Sequence, residues 1–181
     1  MNFNELGLHS SLATRCETLG FETPTPIQEQ AIPIVLSGKD LIATAETGTG
    51  KTAAFVLPIV HKLGKPKKGE SRTTVLILTP TRELASQIHA ACRDMAIDAI
   101  KCVSIIGGVG YGPQIQGLRR QPHIVIATPG RLLDHIEQGN IDLKTVDTLV
   151  LDEADRMLDM GFLPAMKRIA KMVSSKRQTL L

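Results

Sequence analysis

The chain has 181 residues, 43% of them apolar, with 21 lysines and arginines against 18 acids for a formal charge of +3. That length and composition fit one globular domain with a real core and exclude a disordered tail or a collagen-like rod. So mild a positive charge permits a nucleic-acid partner without arguing for one.

Short apolar runs alternate with helix-patterned segments along the chain. Strands are expected at 40–43, 74–78, 101–106, 124–127 and 148–151, most of them apolar enough to be buried on both faces. Helices are expected at 26–36, 51–63, 82–96, 130–138 and 163–173. The alternation predicts an α/β fold, a mainly parallel sheet with helices on both faces and ligands at the carboxyl ends of the strands. The Lys- and Gly-rich run 62–70 reads as a solvated surface loop. Residues 176–181 look like the opening of a further strand, so the chain is expected to be a fragment of something longer.

Cys16, Cys92 and Cys102 are an odd number without metal-ligand spacing and read as free thiols in a reducing compartment. The first residues lack the positive start and apolar stretch of a signal peptide, and no apolar run approaches a membrane span. A cytoplasmic protein with no membrane partner is expected.

Two segments carry chemistry. Ala45-Glu46-Thr47-Gly48-Thr49-Gly50-Lys51-Thr52 lies between an expected strand and an expected helix. Glycines there let the backbone N–H groups turn inward as an anion nest, and the helix N-terminus adds a favourable dipole. Lys51 can reach β- and γ-phosphates and Thr52 can offer its hydroxyl to Mg²⁺. The common pattern begins with Gly, where this chain has Ala45. The second segment is Asp152-Glu153-Ala154-Asp155, directly after the 148–151 strand. Asp152 can hold Mg²⁺, and Glu153 can orient or deprotonate an attacking water. Asp155 is too far along to share the metal and is expected in ion pairs. Alone, the acidic run would equally suit a helix N-terminus; beside a phosphate loop, a catalytic site for a nucleoside triphosphate and Mg²⁺ is the better reading.

With these motifs in view, the chain resembles the DEAD-box RNA helicases, specifically their first RecA-like domain, from near Phe3 to Leu181. Gly20-Phe21-Glu22-Thr23-Pro24-Thr25-Pro26-Ile27-Gln28 is similar to that family's Q motif, giving a Q-motif region over 1–29. The resemblance implies that Gln28 reads the adenine edge, that Phe21 packs near the base, and that Lys51, Asp152 and Glu153 carry hydrolysis. It further implies RNA-backbone contacts from Pro80-Thr81-Arg82, Gly107-Gly108 and Thr128-Pro129-Gly130-Arg131, with little base specificity. The family's Ser-Ala-Thr motif and second RecA-like domain lie outside these residues, and Asp155 would couple to that machinery. Nucleotide binding without unwinding is therefore expected of residues 1–181. A DNA-directed helicase is disfavoured by Gln28 and its flanks, and a non-catalytic RNA-binding module by intact Lys51, Thr52, Asp152 and Glu153.

Overall fold

The computed structural model describes residues 2–64, 72–97 and 100–181. Most of the 62–70 run lies outside the described residues. Eight helices and five strands are described, α1 Ser10–Thr18, α2 Pro26–Leu36, α3 Lys51–Leu63, β1 Val75–Leu78, α4 Arg82–Met95, β2 Cys102–Ile105, α5 Tyr111–Arg119, β3 Ile124–Ala127, α6 Pro129–Glu137, β4 Thr148–Leu151, α7 Ala154–Asp159, α8 Leu163–Met172 and β5 Gln178–Leu180. The five strands form one sheet in the order β2-β3-β1-β4-β5. Every pairing is parallel, with Val75 opposite both Ile124 and Thr148.

Pleating sorts the strand side chains into two cores. Val75, Ile77, Ile124 and Ile126 join Leu12 of α1, Ile32 of α2, Leu57 of α3 and Ile88 of α4 on one face. Leu76, Leu78, Val125 and Leu149 join Leu118 of α5, Leu132 of α6, Met157 of α7 and Ile169 of α8 on the other. The alternation period of two puts neighbours on opposite faces, so runs such as Val75-Leu76-Ile77-Leu78 must be apolar throughout. The result is the three-layer RecA-like sandwich expected from sequence.

One expected strand is corrected. Residues 40–43 are not a strand; they run beside β5 with a single parallel bridge, Leu41 to Leu180. Leu41 N–H donates to the Thr179 carbonyl at 3.1 Å and Ala43 N–H to the Leu181 carbonyl at 2.8 Å. β5 is only three residues long, and Ile42 is 79% exposed, so this segment has too little partner and too little cover to extend the ladder. The other expected strands hold to within a residue at each end. Helices α1, α5 and α7 went unseen: α5 carries Gly112, Pro113 and Gly117, poor helix formers, and α7 has only six residues. Residues 176–181 do open a strand, β5.

Candidate nucleotide site and nucleic-acid interface

Because the sheet is parallel, all strand carboxyl ends lie on one rim, where open α/β sheets place their ligands. The phosphate loop follows the 41–43 segment, and Asp152 follows β4. Pro80–Arg82 follows β1, Gly107–Gly108 follows β2, and Thr128–Arg131 follows β3. With the order β2-β3-β1-β4-β5, the segments expected to face RNA occupy one half of the rim and those expected to hold nucleotide the other.

The phosphate loop is closed on itself. Gly50 caps α3 with φ +89°, and Gly48 has φ +81°. Any Cβ at Gly50 would stand 2.5 Å from Gln28 Nε2, so both the positive φ and the neighbour demand glycine. Lys51 Nζ turns back to donate to the Ala45 carbonyl at 2.6 Å, and the Thr49 hydroxyl donates to the Glu46 carbonyl at 2.7 Å. Thr25 and Gln28 reach in from α2. The Thr25 hydroxyl donates to the Thr49 carbonyl at 2.8 Å, and Gln28 Nε2 to the Gly50 carbonyl at 3.2 Å. Gln28 Oε1 accepts from Thr25 N–H at 3.0 Å, and the residue is only 4% exposed. Both ends of the Gln28 amide are thus engaged, one in capping α2 and one on the loop.

Two clefts flank this loop. One, of about 480 Å³, is lined by Phe21, Thr25, Gln28, Gly48, Gly50 and Thr52. Phe21 is half-buried and packs against Phe3, ring centroids 6.4 Å apart. The other, of about 660 Å³ and mainly apolar, includes Thr47, Lys51, Asp152, Glu153 and Asp155. Thr52 and Asp152 therefore line different clefts, with the phosphate loop as the wall between them.

Burial raises the Asp152 carboxyl above its ordinary range, and the neighbouring Glu153 charge adds to the rise, while Lys51 opposes it. Asp152 is held by its backbone, its N–H donating to the Leu78 carbonyl at 2.9 Å. Glu153 is the N-cap of α7 at φ 51°, ψ 48°, a left-handed conformation that costs a non-glycine residue about 1–2 kcal/mol. Its carboxylate accepts from Arg156 Nη1 at 3.2 Å. The acidic run is thus both a strand end and a helix start. Asp155, expected in ion pairs, is exposed and has no ion-pair partner among the described residues.

On the other half, Thr81 caps α4, its side chain accepting from Leu84 N–H at 3.3 Å. Pro80, Thr128 and Pro129 are buried at the turns into α4 and α6. The two arginines differ sharply. Arg82 has a side chain 56% exposed and lies so close to Gly108 that a Cβ there would overlap its guanidinium. Arg131 is 13% exposed, donates from Nη1 to the Val109 carbonyl at 2.8 Å, and covers the Tyr111 ring at 4.3 Å. Cys16, Cys92 and Cys102 are free, and burial pushes the Cys16 thiol up to about 11.

Sequence reading missed Gln114, whose amide bonds the backbone on either side of Gly107–Gly108, and Tyr111, His135 and Asn140, which join Gln114 through His135. Gln114 stands one helical turn before Leu118, a polar residue on the apolar stripe of α5, and both are buried. That misplacement is the only signal the sequence carried.

Fold and rim together define a RecA-like α/β domain of the helicase type. The family model described as DEAD/DEAH box helicase matches residues 25–181, and the chain belongs to that family. It is 47% identical over 183 residues to a Sclerotinia sclerotiorum protein named an ATP-dependent rRNA helicase, covering 99% of this chain and 37% of that protein. It is 46% identical to the Listeria monocytogenes ATP-dependent RNA helicase CshA, covering 99% of this chain and 34% of CshA. The crystal structure of a DEAD box protein from the hyperthermophile Methanococcus jannaschii matches with a TM-score of 0.92 at 40% identity, over 100% of this chain and 49% of that one. The chain spans little more than a third of the curated relatives it matches. Among the described residues, no helix is long and apolar enough to cross a membrane.

Proposed function

We propose that residues 1–181 form the N-terminal ATP-binding domain of an ATP-dependent RNA helicase, binding ATP with Mg²⁺ on one half of the rim and RNA backbone on the other. The observation that carries this reading is the shared rim: one parallel sheet presents a phosphate loop, a half-buried carboxylate and the N-termini of α4 and α6 along a single edge. Adenine would enter beside Phe21 and Gln28, with Gln28 exchanging its bond to the Gly50 carbonyl for one to the base. The triphosphate would draw Lys51 off the Ala45 carbonyl and open the loop. Opening removes the wall between the two clefts, which would let Thr52 and Asp152 serve one site.

Mg²⁺ suits this donor set. Asp152 is a half-buried carboxylate whose charge is disfavoured until a cation neutralises it, and Thr52 adds a second hard oxygen. Among the described residues, no group of three or more His, Cys, Asp or Glu could hold a metal. Phosphate and water oxygens would complete the shell, as Mg²⁺ prefers. When bound, the ion supplies charge neutralisation for the phosphoryl oxygens. Glu153, fixed by its own left-handed backbone and by Arg156, would hold the attacking water and accept its proton.

RNA contacts fall to Arg82, the α4 and α6 N-termini, and the exposed Gly108, all suited to sugar–phosphate oxygens. Arg131 acts there by shaping the Val109 loop, since its guanidinium is already engaged. The longer relatives support a second RecA-like domain in the whole protein, to which exposed Asp155 would couple ATP hydrolysis and local duplex opening. Calorimetric titration of residues 1–181 tests the reading. ADP with Mg²⁺ should bind, GDP more weakly, and a short RNA duplex should not be unwound. Equal ADP and GDP affinities would remove Gln28 from base recognition, and strand separation by these residues alone would overturn the two-domain reading.

A further inference from the structure

The loop after β2 is one that chain chemistry alone would leave loose. It contains Gly107, Gly108 and Gly110, and it leaves a strand whose first three residues are only half-buried. Glycine-rich backbone has the most conformational entropy to lose, so something must hold it. The structure shows what does.

Gln114 of α5 is 3% exposed and sits under the loop. Its Oε1 accepts from Ile106 N–H at 3.2 Å, and its Nε2 donates to the Ile106 carbonyl at 3.0 Å, with the Val109 and Gly110 carbonyls at 3.3 and 3.4 Å. Backbone groups on both sides leave the amide one orientation, oxygen to N–H and nitrogen to carbonyls. His135 of α6, 0% exposed, places Nε2 3.3 Å from that same oxygen. An oxygen cannot donate, so His135 carries a proton on Nε2, and burial, which disfavours the charged ring, leaves Nδ1 bare. Asn140 Nδ2 stands 3.1 Å from Nδ1 and meets that need. Arg131, from the same helix as His135, closes the ring by holding the Val109 carbonyl at 2.8 Å.

We propose that Gln114 and His135 are positioning residues that lock loop 106–110 to α6, so that the Gly107–Gly108 and Thr128–Arg131 segments meet an RNA backbone as one preformed surface. The proposal rests on the RNA reading above. Preformed surfaces bind more tightly because less ordering is lost on association. Removing Gln114 leaves the buried His135 Nε2–H unsatisfied, and removing His135 takes from Gln114 Oε1 one of its two donors.

The test compares His135→Phe, which fills the space of the ring without an N–H, with His135→Gln, which restores a donor. His135→Phe should speed exchange of the Ile106 amide, whose N–H donates to Gln114 Oε1, about ten-fold, the loss of one net hydrogen bond. It should weaken binding of a fluorescent single-stranded oligouridylate about five-fold by the same reasoning, while ADP affinity stays as in the wild type. His135→Gln should recover most of both. Wild-type exchange in His135→Phe, or a His135→Gln variant as loose as His135→Phe, would overturn the lock in favour of simple packing. Should His135→Phe fail to fold, nitrogen chemical shifts of His135 in the unaltered chain decide the matter. Protonation at Nε2 alone supports the lock, and the opposite tautomer overturns it. A wild-type chain that binds no oligouridylate would sink the RNA reading, while the exchange comparison would still judge the lock.

Discussion

The two halves of the rim solve opposite problems. The half proposed to take nucleotide is satisfied by itself: Lys51, Thr49, Thr25 and Gln28 all bond to carbonyls of the phosphate loop, and a ligand would have to replace those bonds. The half proposed to meet RNA is set in advance, with Gln114, His135 and Arg131 holding a glycine loop in place and leaving Arg82 exposed beside it. A triphosphate brings enough charge to open a closed loop. RNA contacts are individually weak and gain most from a surface that loses no freedom on binding. One half therefore needs to move and the other needs to stay still.

The largest effect that would sharpen this contrast is on chemistry. In the full-length protein, Glu153→Gln should lower turnover about 10²–10⁴-fold, the usual contribution of a general base, with ATP binding intact. Turnover that survives would remove Glu153 from the water. Next, Lys51→Ala should weaken ADP·Mg²⁺ binding to residues 1–181 roughly ten- to a hundred-fold, as expected for loss of a charged hydrogen bond. RNA affinity should hardly change, and a matched loss on both halves would break the division drawn here.

Gly50→Ala should destabilise the domain by about 1–2 kcal/mol from the positive φ alone, with a further loss from collision with Gln28. Denaturant unfolding reads this directly, and a neutral result would mean that the closed loop is not the resident state. Asp152→Asn should raise Tm by a few degrees while weakening Mg²⁺-dependent nucleotide binding. The sign follows from the carboxyl standing above its ordinary range: ionising it costs the folded state, and the neutral amide relieves that cost.

Acid should act on the other half and beyond. His61, His89, His123 and His135 all stand below the ordinary 6.5, each chiefly because burial disfavours the charged ring. The unfolded chain then binds more protons than the folded one below that pH. Stability is full above 6.5 and falls as pH drops through the lowered values. Tm measured from pH 7 to pH 5 should decline, and His135→Gln should flatten part of the slope. The smallest effect is Arg82→Ala, expected to reduce the salt dependence of RNA binding by about one unit of slope and to leave nucleotide binding alone.

Much of the site was legible because its determinants are local. Gly50 before Lys51 and Thr52 specifies a turn into a helix within a few residues, and Thr148-Leu149-Val150-Leu151 before Asp152 specifies a strand delivering an acid. What the sequence left equal, the tertiary structure separated. Arg82 and Arg131 have the same local setting, each near the start of a helix after a strand, yet one is exposed and the other is folded onto Val109 and Tyr111. Gln28 read as a base-recognition residue shows its amide shared between a helix cap and the phosphate loop, partners 3 and 22 positions away. The 40–43 segment had the composition of a strand and lacks one because its only described neighbour, β5, is short.

By itself, then, the sequence determined the parallel α/β plan, the phosphate loop and the acidic strand end, since apolar periodicity and turn chemistry act over a few residues. Only the tertiary structure decided that Gln28 closes the loop, and that Gln114 and His135 brace the opposite half. Those contacts join residues 22 and 21 positions apart, and packing across layers, which no local pattern encodes, brings them together.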